Sequence, residues 1–226
     1  KVYWNNMFGA DENKRDQDVQ KILSDNNIEY ETFDDQVVYP PGTIKTKEDK
    51  PYSVFTPFKR RWIENFNIDF LDIEFNYTSK NDSGIASNVD VFNFDFKKTH
   101  SVDMSLWNVG EESAISILNN YLDAKVLRYS KDRNDPIIDG TSRLSPYLAS
   151  GIISSKRCIL EALKKNKFEL DSGESGIVKW LDEIIWREFY KNIMHSFPKV
   201  SKGLPFQDYT KNIKWRFDKN EFEAWK

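Results

Sequence analysis

Three stretches of the sequence carry groups able to act on a flat, charged ligand. In Trp180-Leu181-Asp182-Glu183-Ile184-Ile185-Trp186-Arg187-Glu188-Phe189-Tyr190, helical spacing places Trp180, Glu183, Trp186, Arg187 and Tyr190 roughly along one side. Aromatic planes, a carboxyl and a guanidinium then converge, as they must to stack a flipped-out base, hydrogen-bond its edge and contact phosphate. The same pattern also suits an amphipathic core helix whose Glu and Arg reach outward to water. A second stretch joins Tyr129-Ser130-Lys131-Asp132-Arg133 to Asp139-Gly140-Thr141-Ser142-Arg143-Leu144-Ser145. Glycine lets backbone approach a ligand, the hydroxyls and neighbouring N–H groups can bond phosphate oxygens, and the arginines supply charge. A Gly-Thr-Ser turn capping a helix is the ordinary alternative. The third stretch, Gly9-Ala10-Asp11-Glu12, suits either a helix cap or an acidic grip on a ring N–H.

These groups need elements to hold them. Lys1-Val2-Tyr3-Trp4-Asn5 reads as a strand, and Val19, Ile22 and Leu23 fall at helical spacing after it. Short strand-like pieces are expected at residues 28–33 and 36–39, stopped by Pro40-Pro41-Gly42. Thr56-Pro57 predicts a helix start, with Thr56 as its cap, running through Trp62 and Phe66. Residues 67–107 are polar, rich in Asn, Asp and Ser, and without sustained periodicity, which predicts an interdomain linker. After it the texture turns helical: Ile115, Leu118, Tyr121 and Leu122, then Ile159, Leu160 and Leu163, then Ile177, Leu181, Ile184 and Ile185. Ser154 or Ser155 is expected to cap a helix reaching about Lys165, and a longer one is expected from the Gly173 and Gly176 region to about Ser196.

Composition narrows the class. With 226 residues, 39% hydrophobic, 31% charged and 7 Trp, the chain suits a packed globular protein and excludes a disordered tail. No apolar run approaches the ~20 residues of a membrane span, and no secretory leader precedes the first strand, so a soluble, cytoplasmic protein is expected. The single cysteine, Cys158, excludes an internal disulfide and reads as a buried hydrophobe. No metal site is expected. The net charge of −3 argues against nucleic acid, but residues 191–226 hold eight Lys/Arg against four Asp/Glu, so a basic surface can coexist with an acidic one.

Taken in order, Phe33-Asp34-Asp35 with Pro40-Pro41-Gly42, Val54-Phe55-Thr56-Pro57-Phe58, Gly140-Thr141-Ser142-Arg143-Leu144-Ser145 with Leu148-Ala149-Ser150-Gly151, and residues 180–190 resemble the DNA photolyase and cryptochrome family. The resemblance runs from end to end and lies closest to class I cyclobutane pyrimidine dimer photolyases. It implies an α/β N-terminal remnant with a Rossmann-like parallel sheet at residues 1–66. The linker at 67–107 would join this to the N-terminal half of an all-helical FAD-binding domain at 108–226, the chain being incomplete at both ends.

The implied activity is blue-light repair of pyrimidine dimers in DNA by electron transfer from reduced FAD, with the parent protein a monomeric lyase and this piece inactive alone. By the same resemblance, Tyr129, Thr141, Ser142, Arg143, Leu144, Ser145 and Trp180 would bind FAD. Arg133 would face DNA, Glu183 and Trp186 would contact the dimer catalytically, and Arg187 and Tyr190 would support that pocket. Asp11, Glu12 and Lys202 fall where folate-binding members hold a methenyltetrahydrofolate antenna, although Asp11 replaces the Asn expected there. A cryptochrome-type light receptor, a (6-4) photolyase and a single-strand-preferring relative share the fold, with Glu183 and Trp186 favouring dimer repair. A remnant without activity of its own is the remaining alternative for the chain as given.

Overall fold

The computed structural model describes residues 1–71 and 107–226. In chain order the elements are β1 (Val2–Asn5), α1 (Ala10–Asp25), β2 (Tyr30–Phe33), α2 (Phe55–Glu64), α3 (Glu111–Ala124), α4 (Tyr129–Asp132), α5 (Ser145–Ala149), α6 (Ser155–Lys165), α7 (Ser175–Ser196) and α8 (Lys219–Trp225), with short 3₁₀ turns between some of them. They form two compact units, Lys1–Asn65 with Glu183–Lys226, and Phe66–Asp182, so that the boundary falls inside α7. A small parallel sheet followed mostly by helices is the α/β-plus-helical class expected.

In the first unit β1 and β2 run parallel, Val2 opposite Tyr30 and Asn5 opposite Phe33. A parallel pair requires a crossover, and α1 supplies it. Gly9 occupies the α1 N-cap position without a side-chain bond, while Asp11 and Glu12 sit in the first turn, where the helix dipole favours acids. Residues 36–39, expected as a strand, form turns instead. The amides of Val38 and Tyr39 donate to the Glu188 carboxylate at 2.9 and 3.0 Å, so neither is left for a ladder. Val37, Val38 and Tyr39 are moreover all buried, which an alternating strand face does not allow.

Thr56 is not the cap of α2. The helix begins at Phe55 with Val54 before it and no side-chain cap. Phe55 stacks on Trp186 with ring centroids 3.7 Å apart, which draws it into the first turn, and Pro57 is tolerated there because its missing N–H has no intrahelical partner to lose.

The second unit buries Leu118, Tyr121 and Leu122 of α3 among Leu144, Leu148, Ile159, Leu163, Ile177, Trp180 and Leu181. Ser154 caps α6 by accepting the Arg157 amide at 3.1 Å, and Cys158 is fully buried as expected. Asn166 shapes the turn before α7: its amide donates to the carbonyls of Glu169 and Ser172, and its oxygen accepts the Glu174 N–H at 2.9 Å. Gly176 opens α7 against backbone, since an added Cβ would lie 2.1 Å from the Val126 carbonyl oxygen. Of the expected linker, Ile68–Leu71 form a 3₁₀ turn with Leu71 buried, and residues 72–106 lie outside the described residues. Among the described residues no helix is long and apolar enough to cross a membrane, and no cluster of His, Cys, Asp and Glu could hold a metal ion.

Candidate functional site

The second unit contains a cleft of about 300 Å³ lined by Tyr121, Lys125, Asp139, Thr141, Ser142 and Arg143, with Trp107 and Tyr147 among its aromatic walls. That volume is at the lower end of small-molecule sites, roughly 300–1,000 Å³, so it suits part of a dinucleotide. Three of the expected cofactor residues, Thr141, Ser142 and Arg143, therefore share one surface. Arg143 adopts φ 53°, a sparsely populated conformation for a residue with a side chain. Its guanidinium reaches Asp139 at 3.0 Å, and Lys125 reaches the other oxygen of the same carboxylate at 2.7 Å. The Lys125 hydrogen bond holds the Asp139 carboxyl below the usual carboxylate range, with both cations adding to the effect.

The other expected cofactor residues lie behind this surface. Tyr129 and Trp180 are buried and both contact Tyr121, with ring centroids 6.2 and 5.3 Å away. Leu144 is buried, and Ser145 opens α5 on the exposed side. The Gly-Thr-Ser turn does not cap α5, because Leu144 occupies that position and no side chain bonds the free N–H groups there. Arg133 lies over the Tyr129 ring at 5.3 Å. Tyr121 lines the same cleft, its buried hydroxyl has no hydrogen-bond partner among the described residues, and burial pushes its pKa up. Buried hydroxyls normally have a partner. Two cations, two further hydroxyls and this orphan donor fit the phosphates and polyol of a flavin dinucleotide.

In the first unit Glu183, Trp186, Arg187 and Tyr190 occupy successive turns of α7, the first three half-buried and Tyr190 exposed. Trp186 is held by Phe55 on one face and contacts Tyr190 at 5.5 Å in a stacked arrangement. Arg187 donates to the carbonyl of Gln36. Asp11 and Glu12 are exposed in the first turn of α1, and Lys202 ends the 3₁₀ turn Pro198–Lys202. The Ala10 amide donates to Ser201 Oγ at 2.9 Å, which brings the start of α1 to that turn. Burial lowers the pKa of Lys191, Arg187 lowers it further, and Glu12 opposes both.

Glu188 was not among the expected site residues, yet it is the polar centre of this unit. It is 2% exposed and accepts from Val38 N, Tyr39 N and, at 2.7 Å, from Trp62 Nε1. Its place on the apolar stripe was a usable signal, since it lies seven residues after Leu181 and four after Ile184. Burial pushes its carboxyl up to about 7, against the downward pull of the Val38 amide, the Trp62 indole, the Tyr39 amide and the Arg187 charge. A folded-state pKa above the ordinary 4.5 means that the folded state binds more protons between those values. The contribution is full below pH 4.5 and lost as pH rises to about 7. Urea titrations at pH 5 and 7.5 are expected to differ by about 2 kcal/mol, with greater stability at pH 5, and Glu188→Gln should flatten the difference. A wild-type chain equally stable at both values would contradict this assignment.

Residues 1–75 match the family model described as DNA photolyase. The chain is 33% identical over 228 residues to the deoxyribodipyrimidine photo-lyase of Vibrio cholerae, covering 99% of this chain and 47% of that protein. It is 30% identical over 225 residues to the enzyme of that name from Escherichia coli, covering 99% of this chain and 46% of that protein. The chain thus spans about half the length of the curated relatives it matches. Among solved structures, a bacterial class III photolyase from Agrobacterium tumefaciens superposes with a TM-score of 0.74 at 23% identity, over 99% of this chain and 46% of that one. A cryptochrome from Synechocystis superposes at 0.68 and 16% identity, over 98% and 46%. The ordered motifs, the family model over residues 1–75 and the end-to-end similarity agree: along its length the chain is similar to proteins of the photolyase and cryptochrome family.

Proposed function

We propose that the protein carrying this chain is a deoxyribodipyrimidine photo-lyase of the kind that repairs cyclobutane pyrimidine dimers in DNA. The observation that carries this reading is the face of α7, where Glu183 and Trp186 stand one turn apart and Phe55 fixes the indole plane. FAD, when bound, supplies the light-driven electron for repair. Thr141, Ser142 and Arg143 hold its polar side, while Tyr129, Leu144, Ser145 and Trp180 build the wall behind them. Glu183 hydrogen-bonds the pyrimidine edge and stabilises charge developing on its carbonyl. Trp186 packs on the lesion, with Arg187 and Tyr190 beside it, and Arg133 contacts the DNA backbone.

Residues 1–66 and 108–226 belong, on this reading, to the N-terminal α/β and FAD-binding domains. Asp11, Glu12 and Lys202 contact a methenyltetrahydrofolate antenna, and the protein acts as a monomer. The names of the similar Vibrio and Escherichia proteins support the reading.

The test uses the intact protein on dimer-containing oligonucleotides in blue light and in the dark. Light-dependent repair is expected. Glu183→Ala should lower its quantum yield roughly tenfold or more, by removing a hydrogen bond that strengthens as charge develops, while the flavin absorbance stays. Unchanged repair in that variant removes Glu183 from the mechanism. Bound flavin without repair, even after chemical reduction, selects the cryptochrome-type receptor instead.

A further inference from the structure

We infer that the last turn of α3 is itself a ligand-binding element of the second unit's cleft, with Lys125 taking a phosphate oxygen and the Tyr121 hydroxyl donating a hydrogen bond to the same ligand. The inference rests on the flavin reading for the identity of the ligand. Tyr121 lies in the last turn of α3 and Lys125 is that helix's C-cap, and both line the cleft that holds Thr141, Ser142 and Arg143. Lys125 is fixed at its base, its amide bonding the Tyr121 carbonyl at 2.9 Å, while its ammonium reaches into the opening.

There it meets Asp139, which also binds Arg143, so two cations, one from the end of α3 and one from the turn before α5, converge on one carboxylate. Side chains at that meeting point are about 37–61% exposed. Ion pairs so exposed contribute roughly 0–1 kcal/mol, so a diphosphate carrying more charge than one carboxylate can displace Asp139 from its partners. Tyr121 supplies the independent observation. Its buried hydroxyl lacks a partner among the described residues, although Tyr121 lines this cleft, and leaving a buried donor unpaired costs stability. A cation at a helix C-terminus also stabilises the helix without any ligand. That role predicts a lower melting temperature and no discrimination among ligands, which separates the two.

The experiment titrates flavin-stripped intact protein with FAD and with riboflavin, which lacks the phosphates, following flavin fluorescence at low and high salt. Lys125→Gln is expected to weaken FAD binding about tenfold at low salt and less at high salt, leaving riboflavin binding unchanged, and Lys125→Arg should restore most of the loss. Tyr121→Phe is expected to weaken FAD several-fold while its melting temperature stays level or rises, because an unpaired buried hydroxyl has been removed. Equal losses for FAD and riboflavin in Lys125→Gln, or no loss for either, would overturn the Lys125 assignment. A Tyr121→Phe protein with wild-type FAD affinity would overturn that of Tyr121. Wild-type protein that binds neither flavin defeats the flavin reading instead. The same variants are then titrated calorimetrically with inorganic pyrophosphate, and the α3 site stands only if wild type binds it and both variants bind it more weakly.

Discussion

Glu188→Ala is expected to cost about 4 kcal/mol or more, enough to leave a protein of ordinary stability largely unfolded at 37 °C. The cause is the number of donors stranded. Val38 N, Tyr39 N and Trp62 Nε1 all point at one carboxylate inside the core, and none has water to turn to once it is gone. Each unpaired buried donor costs about 1–3 kcal/mol, and the cavity left by the side chain adds to that. Glu188→Gln keeps the shape and one acceptor oxygen, so it should fall between wild type and alanine. Urea unfolding followed by circular dichroism and by tryptophan emission measures both. A Glu188→Ala chain within 1 kcal/mol of wild type would show that the three bonds are dispensable.

Gly176→Ala is expected to cost about 3 kcal/mol or more, although it adds a single methyl group and favours helix. The new Cβ would meet the Val126 carbonyl oxygen at 2.1 Å and the Leu127 carbonyl oxygen at 2.5 Å. Both are main-chain atoms, so no rotamer change relieves the overlap, and the start of α7 must move. Trp180, one turn on, would move with it and unseat the contact with Tyr121 behind the cleft. Ser175→Ala, at the exposed neighbouring position, should change stability by no more than about 0.5 kcal/mol. Thermal melts of the two variants make the comparison, and equal melting temperatures would contradict the close approach at Gly176.

What could be read from the sequence follows the range of each interaction. The limits of α6 and α7, the Ser154 cap and the burial of Cys158 come from local signals, and they stand as expected. Thr141, Ser142 and Arg143 stand together on one cleft surface because one short stretch supplies their hydroxyls, charge and a glycine. Residues 36–39 misled because three consecutive apolar residues look like a strand when their amide partner is a side chain 150 positions away. Lys125 carried no signal, since a lysine at the end of a helix is commonplace. The meeting of α3 with residues 139–143 is what sets it beside the cleft. Glu188 was visible as a carboxylate on an apolar stripe, but its three donors come from two other segments, and no spacing rule names them.

The ties between α7 and residues 36–42 have one further consequence. Glu188 binds the amides of Val38 and Tyr39, Asn192 accepts the amide of Gly42, and Arg187 donates to the carbonyl of Gln36. Every loop atom used belongs to the main chain, which all amino acids other than proline present alike. The loop's course therefore rests on three helix residues and not on its own polar side chains, and loop substitutions that still fill the core at Val37, Val38 and Tyr39 should leave the path unchanged.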